Sequence, residues 1–464
     1  MAAKASSPSI MHGRTTGWTV NCSDPAERTF LIHMPFKPRK RLPAFVVPLL
    51  ITVTLAKILV FLILVRYTPL VPFVGDNAAD HLIPVANRLI TEGRFNGPDT
   101  RPDSKVPPGY PLVLAFLMRV SPIDYRTAAV VCQMLADLLT GTALIWLASR
   151  FLAPTVAIIA GVAWLLYPPE IVISTWITAE TFFTTLLICG IASLSASLHD
   201  DNAMESLLAG CVLGIATLFR GTTLLLPAML LLPMVRIGLF RCTALFLAGF
   251  LLLVTPWAIR NRAVLNDPIL VSVGFGSAFL QGSDERAFTI AGKRAAYPQM
   301  YAEAARHGVV KPPTDHESAI DHWLFEVGLL TYKERVIHRP LSLLSLTIKK
   351  VLLLWYSTES GGFNGQLLLG LCALPVVVPG LWQLWKWNGT PIATLLASVL
   401  VYFILLHVAT LPLNRYMLPV YPILLLGASE WWMSLIQRHT RWRVGSDSPC
   451  SYGQEREERR FEQQ

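Results

Sequence analysis

The feature that most constrains this chain is a series of apolar runs, several of them long enough to cross a lipid bilayer as a helix. The first run covers residues 44–65 and ends at Arg66. A transmembrane helix needs about 20 apolar residues to cross a hydrocarbon core of about 30 Å. The chain is 53% hydrophobic and only 15% charged over 464 residues, which is too apolar for a soluble protein of this length. The sequence therefore predicts an all-α polytopic membrane protein.

The orientation of the predicted spans follows from the basic residues around them. A basic stretch at 37–41 precedes the first run, and cytoplasmic loops of membrane proteins carry an excess of Lys and Arg. We therefore predict that the N-terminus is cytoplasmic and that alternating spans return the basic C-terminal tail to the cytoplasm. About ten spans are predicted, at 44–65, 127–148, 153–166, 179–198, 204–219, 222–235, 244–259, 367–385, 392–411 and 417–436.

Two short apolar runs are not counted as spans. The run 110–120 is too short to cross, and the run 341–356 carries Lys349 and Lys350 at its centre. The length of 110–120 favours an interfacial or re-entrant helix, and 341–356 is predicted to be an amphipathic helix on the outer surface. If either of them crossed, every later loop would change sides.

This topology divides the chain into consecutive parts. Long loops are translocated largely regardless of their charge, so the basic residues of a long loop do not prevent it from being external. The predicted parts are a basic cytoplasmic tail (1–43), a transmembrane module (44–259) that includes a first external loop (66–126), an external loop with an interfacial helix (260–365), the C-terminal transmembrane helices (366–437) and a cytoplasmic tail (438–464).

Composition and motifs exclude several function classes. The net charge of +9 does not indicate nucleic-acid binding, because the basic residues are scattered between apolar runs and in both tails. The seven cysteines show no CxxC spacing, so neither a disulfide framework nor a zinc knuckle is predicted. The sequence contains no GxGxxG, P-loop or HExxH motif, which weighs against nucleotide-driven and zinc chemistry.

Charged residues gather at the predicted external ends of the spans. Any one of them could simply anchor a helix end in water. Their convergence on one side of the membrane predicts a shared external site. These residues are Asp76, Asp80, Lys105, Glu170, Glu180, Arg220, Arg260, Arg262 and Arg415.

The residue types suit acid–base and phosphate chemistry. Asp76 and Asp80 would share one face of a helix, where repulsion between the carboxylates favours a general base or a cation ligand. Glu180 lies at the start of a predicted span. Simple helix capping explains an acid at this position as well as a role in the site does. Arg220 separates two apolar runs, and Arg415 occupies a similar place before the last span. Arginine at such positions can bind a phosphate group through two hydrogen bonds.

Two ionisable residues fall inside predicted spans. Lys57 lies in the first span and Asp137 in the second, at similar depth from the outer end. We predict that they pair with each other. An ionisable residue inside a span is a functional candidate, and a structural salt bridge remains an equally good interpretation.

Six short motifs occur in a characteristic order between residues 60 and 421. They resemble those of the GT-C glycosyltransferases of the dolichyl-phosphate-mannose protein mannosyltransferase type (glycosyltransferase family 39). This family includes the bacterial aminoarabinose transferase for lipid A and the lipopolysaccharide-modifying glycosyltransferases of rhizobia. The motifs are Gly75-Asp76, Pro107-Pro108-Gly109-Tyr110-Pro111, Thr178-Ala179-Glu180, Phe219-Arg220-Gly221-Thr222, Thr255-Pro256-Trp257-Ala258-Ile259-Arg260-Asn261 and Asn414-Arg415-Tyr416.

The resemblance implies a GT-C fold with juxtamembrane helices in the first external loop. It also implies an inverting hexosyl- or pentosyltransferase of the inner (plasma) membrane. Such an enzyme takes a sugar from a polyprenyl-phosphate carrier and passes it to a lipid, glycan or protein acceptor on the external, periplasmic face. Membrane lipids would surround it, and nucleic acid would have no part in the reaction.

The same resemblance implies roles for individual residues. Asp76 would deprotonate or orient the acceptor hydroxyl, with Asp80 and Glu180 as the other acids of the site. The cations that would hold the carrier phosphate are Lys105, Arg220, Arg260 and Arg415.

This sequence departs from the family pattern at two points. Many relatives carry a second acid directly after the first, where this chain has Asn77, and Asp80 is the candidate to replace it one helical turn later. Lys105 lies one residue further from the Pro-Pro pair than the family's lysine. The dependence on a divalent cation, Mg²⁺ or Mn²⁺, therefore stays open.

Three alternatives remain. A secondary transporter would place its polar residues near the middle of the bilayer, between inverted repeats. A lipid-linked-glycan ligase or polymerase would place its key residues in a late external loop. A non-catalytic assembly subunit would explain why Asn77 stands where relatives carry an acid.

Overall fold

The computed structural model describes residues 43–67, 81–314 and 316–446, and these residues form helices joined by turns. Asp76, Asn77 and Asp80 lie outside the described residues, as do most of the N-terminal tail and the last 18 positions of the chain. The helices of the first part are α1 (Val46–Tyr67), α2 (Leu82–Glu92), α3 (Gly109–Val120), α4 (Tyr125–Ala148), α5 (Pro154–Leu165), α6 (Pro168–Ile173), α7 (Glu180–Asp200), α8 (Ala203–Phe219), α9 (Leu226–Ile237) and α10 (Phe240–Leu265).

The second part of the described chain continues in the same way. Short 3-10 turns occur at Gly221–Thr223, Glu285–Ala287 and Leu418–Val420. The remaining helices are α11 (Phe275–Ser283), α12 (Ile290–Arg306), α13 (Glu317–His338), α14 (Pro340–Leu353), α15 (Phe363–Lys386), α16 (Pro391–Ala409), α17 (Asn414–Met417) and α18 (Tyr421–Ser446).

Every predicted span is helical, so the apolar runs located these helices correctly. The helices α1, α4, α7, α10, α15 and α16 are long and apolar enough to cross a membrane by length and composition. The helices α5, α8 and α9 are apolar but shorter, and α18 covers the last predicted span. The chain is an all-α multi-pass membrane protein, as its composition predicted.

Two helices extend beyond their apolar runs. The helix α10 continues to Leu265, so Arg260 and Arg262 lie on a helix and not in the loop predicted to begin at 260. It ends at Asn266, whose left-handed conformation (φ 55°) suits an asparagine after a helix. The helix α18 likewise continues to Ser446, past the predicted end at 436. Apolar residues mark only the part of a helix inside the lipid, so the polar ends were missed.

Glycines bring α8 and α10 into close contact. A Cβ at Gly210 would lie 2.0 Å from the carbonyl oxygen of Phe246, and a Cβ at Gly214 would lie 3.0 Å from that of Phe250. Small residues allow membrane helices to approach in this way. Because 210 faces 246 and 214 faces 250, the two helices run parallel. Their C-terminal ends therefore lie on the same side.

The segment between α10 and α15 contains four helices. Its last helix, α14, exposes Leu341, Leu344, Ile348 and Leu352, which share one face at helical spacing. An interfacial helix needs such an apolar face against lipid, so the location of α14 at the membrane surface stays a prediction with this support.

Candidate active site

The first group of polar residues joins three helix ends. Glu180 begins α7, Arg220 directly follows α8, and Arg415 lies on α17. Arg220 Nη1 lies 2.6 Å from Glu180 Oε1, and both side chains are largely buried. Arg415 Nη2 lies 2.8 Å from Oε1 of Glu359. The structure thus brings together three residues that the sequence had indicated separately, and it adds Glu359.

Local sequence explains why these side chains project into one place. At Arg220 the backbone changes from helical to extended (φ −145°, ψ 118°) before the 3-10 turn Gly221–Thr223, so the helix stops and the side chain turns away from it. Asn414 fixes the position of the next residue, because its Nδ2 donates to the carbonyl of Trp355 (2.6 Å) and to the Tyr421 hydroxyl (3.0 Å). The motif around Arg415 is therefore anchored at its first residue.

An aromatic ring links the two arginines of this group. The guanidinium carbons of Arg220 and Arg415 lie 5.1 Å and 5.2 Å from the centroid of the Tyr416 ring, within range of cation–π attraction. His407 stacks on the same ring, with the ring centroids 5.3 Å apart. Burial alone would lower the pKa of Arg415, but the interactions with Tyr416, Glu180 and Glu359 outweigh it and raise that pKa. Arg415 is therefore held as a cation.

A second group forms around Lys105, in the turn that precedes α3. The Asp103 carboxylate accepts hydrogen bonds from the backbone N–H groups of Lys105 and Val106, each 3.0 Å long, and so shapes the turn. Lys105 Nζ lies 2.8 Å from Oε1 of Glu317 on α13, a hydrogen bond that raises the pKa of Lys105. Burial raises the pKa of Asp103. The turn therefore presents the Lys105 ammonium group, which is paired with Glu317 of α13.

Arg260 projects from α10 toward the same turn. Its Nη2 donates to the carbonyl of Phe95 (3.1 Å), and its guanidinium carbon lies 4.8 Å from the centroid of the Trp257 ring. The charge of Asp103 acts on it from a longer distance. Among the residues that the structure describes, no carboxylate lies within ion-pair distance of Arg260.

The segment 271–273 connects the two groups. The Val273 N–H donates to the carbonyl of Ser104 (2.8 Å), beside Lys105. A Cβ at Gly221, beside Arg220, would lie 3.6 Å from Ser272 Oγ. The two groups therefore border one region of the protein.

His81 is the first residue described after the acidic stretch at 75–80, and it lies near Asp103 of the second group. The two side chains interact electrostatically. Asp80 is its direct neighbour in sequence. The roles expected of Asp76 and Asp80 remain predictions.

Two residues expected at the external site make no contact with either group among the described residues. Arg262 is exposed and donates only to the carbonyl of Asn266 (3.0 Å) among its described contacts. Glu170 is fully buried, where Thr181 donates to its Oε1 (2.8 Å). The helix α6 begins with Pro168 and Pro169, and no local pattern indicates that this turn directs Glu170 inward.

Glu170 joins the ion pair predicted inside the membrane. Lys57 Nζ lies 2.8 Å from Oδ2 of Asp137, which confirms the predicted pairing, and both side chains are buried. The carboxyl groups of Glu170 and Asp137 interact electrostatically, and Glu170 Oε2 and Asp137 Oδ1 are buried without a hydrogen-bond partner among the described residues. Burial, and after it the charge of Asp137, raises the pKa of Glu170 well above its ordinary value. The trio therefore buries one lysine together with two carboxyl groups.

Lys350 is a buried cation that the sequence did not distinguish from Lys349. Its Nζ donates to the carbonyl of Gly282 (3.0 Å) and to the Tyr332 hydroxyl (2.9 Å). Burial, followed by the charge of Arg335, lowers its pKa from 10.5 to about 7. The ammonium group is thus held by neutral acceptors and loses its proton easily.

This depressed pKa predicts a pH-dependent stability. Below about pH 7 the folded protein carries the cost of a buried charge on Lys350. Between pH 7 and 10.5 the folded state binds fewer protons at this group than the unfolded state, so its contribution to stability rises with pH. We expect the melting temperature of the wild type, relative to that of Lys350→Met, to rise from pH 7 to pH 10. Lys349→Met, which removes the exposed neighbour, should keep the wild-type slope; equal slopes in all three proteins would contradict the assignment.

No metal site is visible in the described part of the chain. Within these ranges, no group of three or more His, Cys, Asp or Glu side chains could hold a metal ion. Asp76 and Asp80, the acids expected to bind a cation, fall outside these ranges. A divalent-cation site at these two acids therefore stays a prediction.

Solved structures similar to this chain identify its fold. The chain matches no protein-family model and no curated protein. It is similar to the apo form of an oligosaccharyltransferase from Archaeoglobus fulgidus, with a TM-score of 0.51, 13% identity, and coverage of 87% of this chain and 53% of that chain. The chain thus spans about half the length of that enzyme. The TM-score shows a shared fold, and the predicted GT-C fold is confirmed.

Two further solved structures show lower similarity. One is AglB from Archaeoglobus fulgidus, solved with an inhibitory peptide and a dolichol-phosphate (TM-score 0.49, 13% identity, 89% of this chain and 53% of that chain). The other is ArnT from Cupriavidus metallidurans bound to undecaprenyl phosphate (TM-score 0.41, 15% identity, 84% of this chain and 79% of that chain).

Proposed function

We propose that this chain is a membrane glycosyltransferase that moves a sugar from a polyprenyl-phosphate donor to a lipid, glycan or protein acceptor. One observation carries the proposal. Glu180, Arg220 and Arg415 come from distant parts of the chain and form one cluster, beside a second cluster with Lys105 and Arg260. The fold shared with an oligosaccharyltransferase supports it.

The reaction requires a base beside the acceptor hydroxyl and cations beside the phosphate of the donor. As the acceptor oxygen bonds to the anomeric carbon, its proton passes to a carboxylate. The bond from that carbon to the phosphate oxygen breaks, and the departing polyprenyl phosphate gains a negative charge. Asp76 is the proposed base, with Asp80 and Glu180 as neighbouring acids, and nearby cations stabilise the departing phosphate. Attack opposite the phosphate inverts the anomeric configuration of the hexose or pentose.

Arg260 is the cation best suited to bind the phosphate directly. Lys105, Arg220 and Arg415 each face a carboxylate at 2.6–2.8 Å. Arg260 instead donates to the neutral carbonyl of Phe95. No carboxylate of the described residues lies within ion-pair distance of it. A fixed guanidinium can offer two parallel hydrogen bonds to a phosphate.

We place the site on the external face of the plasma membrane. The parallel packing of α8 and α10 supports this placement, because it puts the ends that carry Arg220 and Arg260 on one side. That side is external if the basic N-terminal tail is cytoplasmic and the spans alternate as predicted. The transmembrane module 44–259 and the loop 260–365 would then share the catalytic site.

Lipid analysis of a deletion strain tests the proposal. Cells that lack the protein should accumulate a polyprenyl-phosphate sugar and lose the same sugar from an envelope component. Purified protein in proteoliposomes should then release polyprenyl phosphate from the extracted donor when the extracted acceptor is added. An unchanged set of polyprenyl-linked sugars and envelope glycans would overturn the proposal.

Arg260→Lys is expected to raise the KM for the polyprenyl-phosphate donor about 10- to 100-fold, since a charge-assisted hydrogen bond contributes about 1.5–3 kcal/mol. Lysine keeps the charge but not the paired geometry of the guanidinium. The assay is the rate of polyprenyl-phosphate release at varied donor concentration. Arg262→Lys makes the same change two residues away at an exposed position and should leave KM unchanged. If Arg260→Lys had the same KM as Arg262→Lys and the wild type, Arg260 would not bind the donor phosphate.

A secondary transporter is the second candidate, because of one observation. The buried trio of Lys57, Asp137 and Glu170 resembles the ionisable groups that proton-coupled transporters place inside the membrane. Such a protein would move a solute into proteoliposomes when a pH gradient is applied. A glycosyltransferase would not.

A further inference from the structure

The carboxylate of Glu317 lies in a site built for an anion. Its Oε2 accepts hydrogen bonds from the Ser104 hydroxyl (2.6 Å) and from the Ser104 backbone N–H (3.3 Å), and its Oε1 lies 2.8 Å from Lys105 Nζ. A hydroxyl, a backbone amide and an ammonium group that converge on one anion are typical phosphate ligands. Ser104 and Glu317 are 213 positions apart, so this contact is made only in the folded protein.

The site is accessible and its donors are fixed independently of Glu317. The side chain of Lys105 is 50% exposed and that of Glu317 is 24% exposed. The turn that carries the donors is held by Asp103, and the Ser104 carbonyl accepts a hydrogen bond from the Val273 N–H. The donors therefore stay in place if the carboxylate leaves.

The charge of the expected donor matches that of the side chain. A phosphodiester that links a sugar to a polyprenyl chain carries one negative charge, as does the Glu317 carboxylate. Exchanging one for the other leaves the net charge beside Lys105 and Asp103 unchanged. A second anion could not simply be added, because Asp103 and Glu317 already place two carboxyl groups around a single lysine.

We infer that Glu317 is a competitive latch. In the substrate-free protein its carboxylate occupies the Ser104–Lys105 anion site, and the phosphodiester of the donor takes its place there. Ser104 is then a phosphate-binding residue, and Glu317 sets the concentration at which the donor binds. This inference rests on the proposed function, because it assumes a polyprenyl-phosphate donor.

The test measures the binding of undecaprenyl phosphate, the released form of the carrier, to the purified full-length protein in detergent; this probe keeps the polyprenyl chain and a phosphate group for the Ser104–Lys105 site. Glu317→Gln removes the charge that competes with phosphate, and its Kd should be about tenfold lower than that of the wild type. Adding Ser104→Ala to Glu317→Gln should weaken binding again by about threefold to tenfold, the effect of one lost hydrogen bond. The matched control is Glu326→Gln, which changes an exposed carboxylate on the same helix and should leave Kd unchanged.

The outcomes separate the latch from the proposed function. If the wild type binds undecaprenyl phosphate and Glu317→Gln binds it equally or more weakly, the latch is wrong and the proposed function stands. If neither protein binds it, both fail. Should Glu317→Gln not yield folded protein, Glu317→Asp shortens the reach of the carboxylate, and the same decrease in Kd is expected.

Discussion

Asp76→Asn is expected to lower the rate of sugar transfer by about 100- to 10,000-fold, the range that general-base catalysis contributes. Asparagine has nearly the same shape as aspartate but cannot accept the acceptor's proton. The variant should be expressed and inserted normally, and it should bind undecaprenyl phosphate with the wild-type Kd, because the phosphate is held by cations on other elements. The measurement is polyprenyl-phosphate release in proteoliposomes, under conditions in which wild-type release is linear with time.

Asp80→Asn is the informative partner of this variant. Asn77 stands where relatives carry an acid, so Asp76 and Asp80 are the two candidates for the base in this stretch. If Asp76 is the base, Asp80→Asn retains substantially more activity than Asp76→Asn. Undiminished transfer by Asp76→Asn, with loss of transfer by Asp80→Asn, would assign the base to Asp80 and exclude Asp76.

Most of the helical framework could be predicted from the sequence, because a helix in lipid must be apolar along its length. The positions of Glu180, Arg220 and Arg415 followed from the same pattern, since each interrupts or borders an apolar run. The ends of α10 and α18 could not be predicted in this way, because outside the lipid a helix needs no apolar pattern. As a result, Arg260 proved to be a helical residue.

The partners of these residues could not be predicted. Glu317 and Glu359 belong to polar segments in which many carboxylates look alike, and their contacts with Lys105 and Arg415 depend on how distant parts of the chain pack. Glu170 shows the reverse problem. It looked like an exposed residue at a helix end, but the double-proline turn of α6 directs it into the protein. The local sequence pattern reveals which charged residues border apolar runs, and tertiary packing determines their contact partners.

Breaking the buried ion pair is expected to destabilise the protein strongly. Lys57→Met leaves the Asp137 carboxylate without its cation at a fully buried position, at a cost of about 3–5 kcal/mol in unfolding free energy. The combined variant Lys57→Met/Asp137→Leu removes both charges and should recover most of that loss. Unfolding in mixed detergent measures each effect, and Lys333→Met, at an exposed position of α13, is the control.

Glu170 separates a structural role of this trio from a role in proton transfer. Burial raises the pKa of Glu170 and so favours its neutral form, and its Oε1 accepts the hydrogen bond from Thr181. Glutamine is neutral and keeps a carbonyl oxygen for that hydrogen bond, so Glu170→Gln should be nearly as stable as the wild type. Asp137→Asn replaces the charged member and should lose stability to a similar extent as Lys57→Met. If Glu170→Gln were the most damaging of the three, Glu170 would carry the charge and the proton would belong to Asp137. If it kept its stability but lost a proton-driven activity, the trio would have a functional role that the salt bridge alone does not explain.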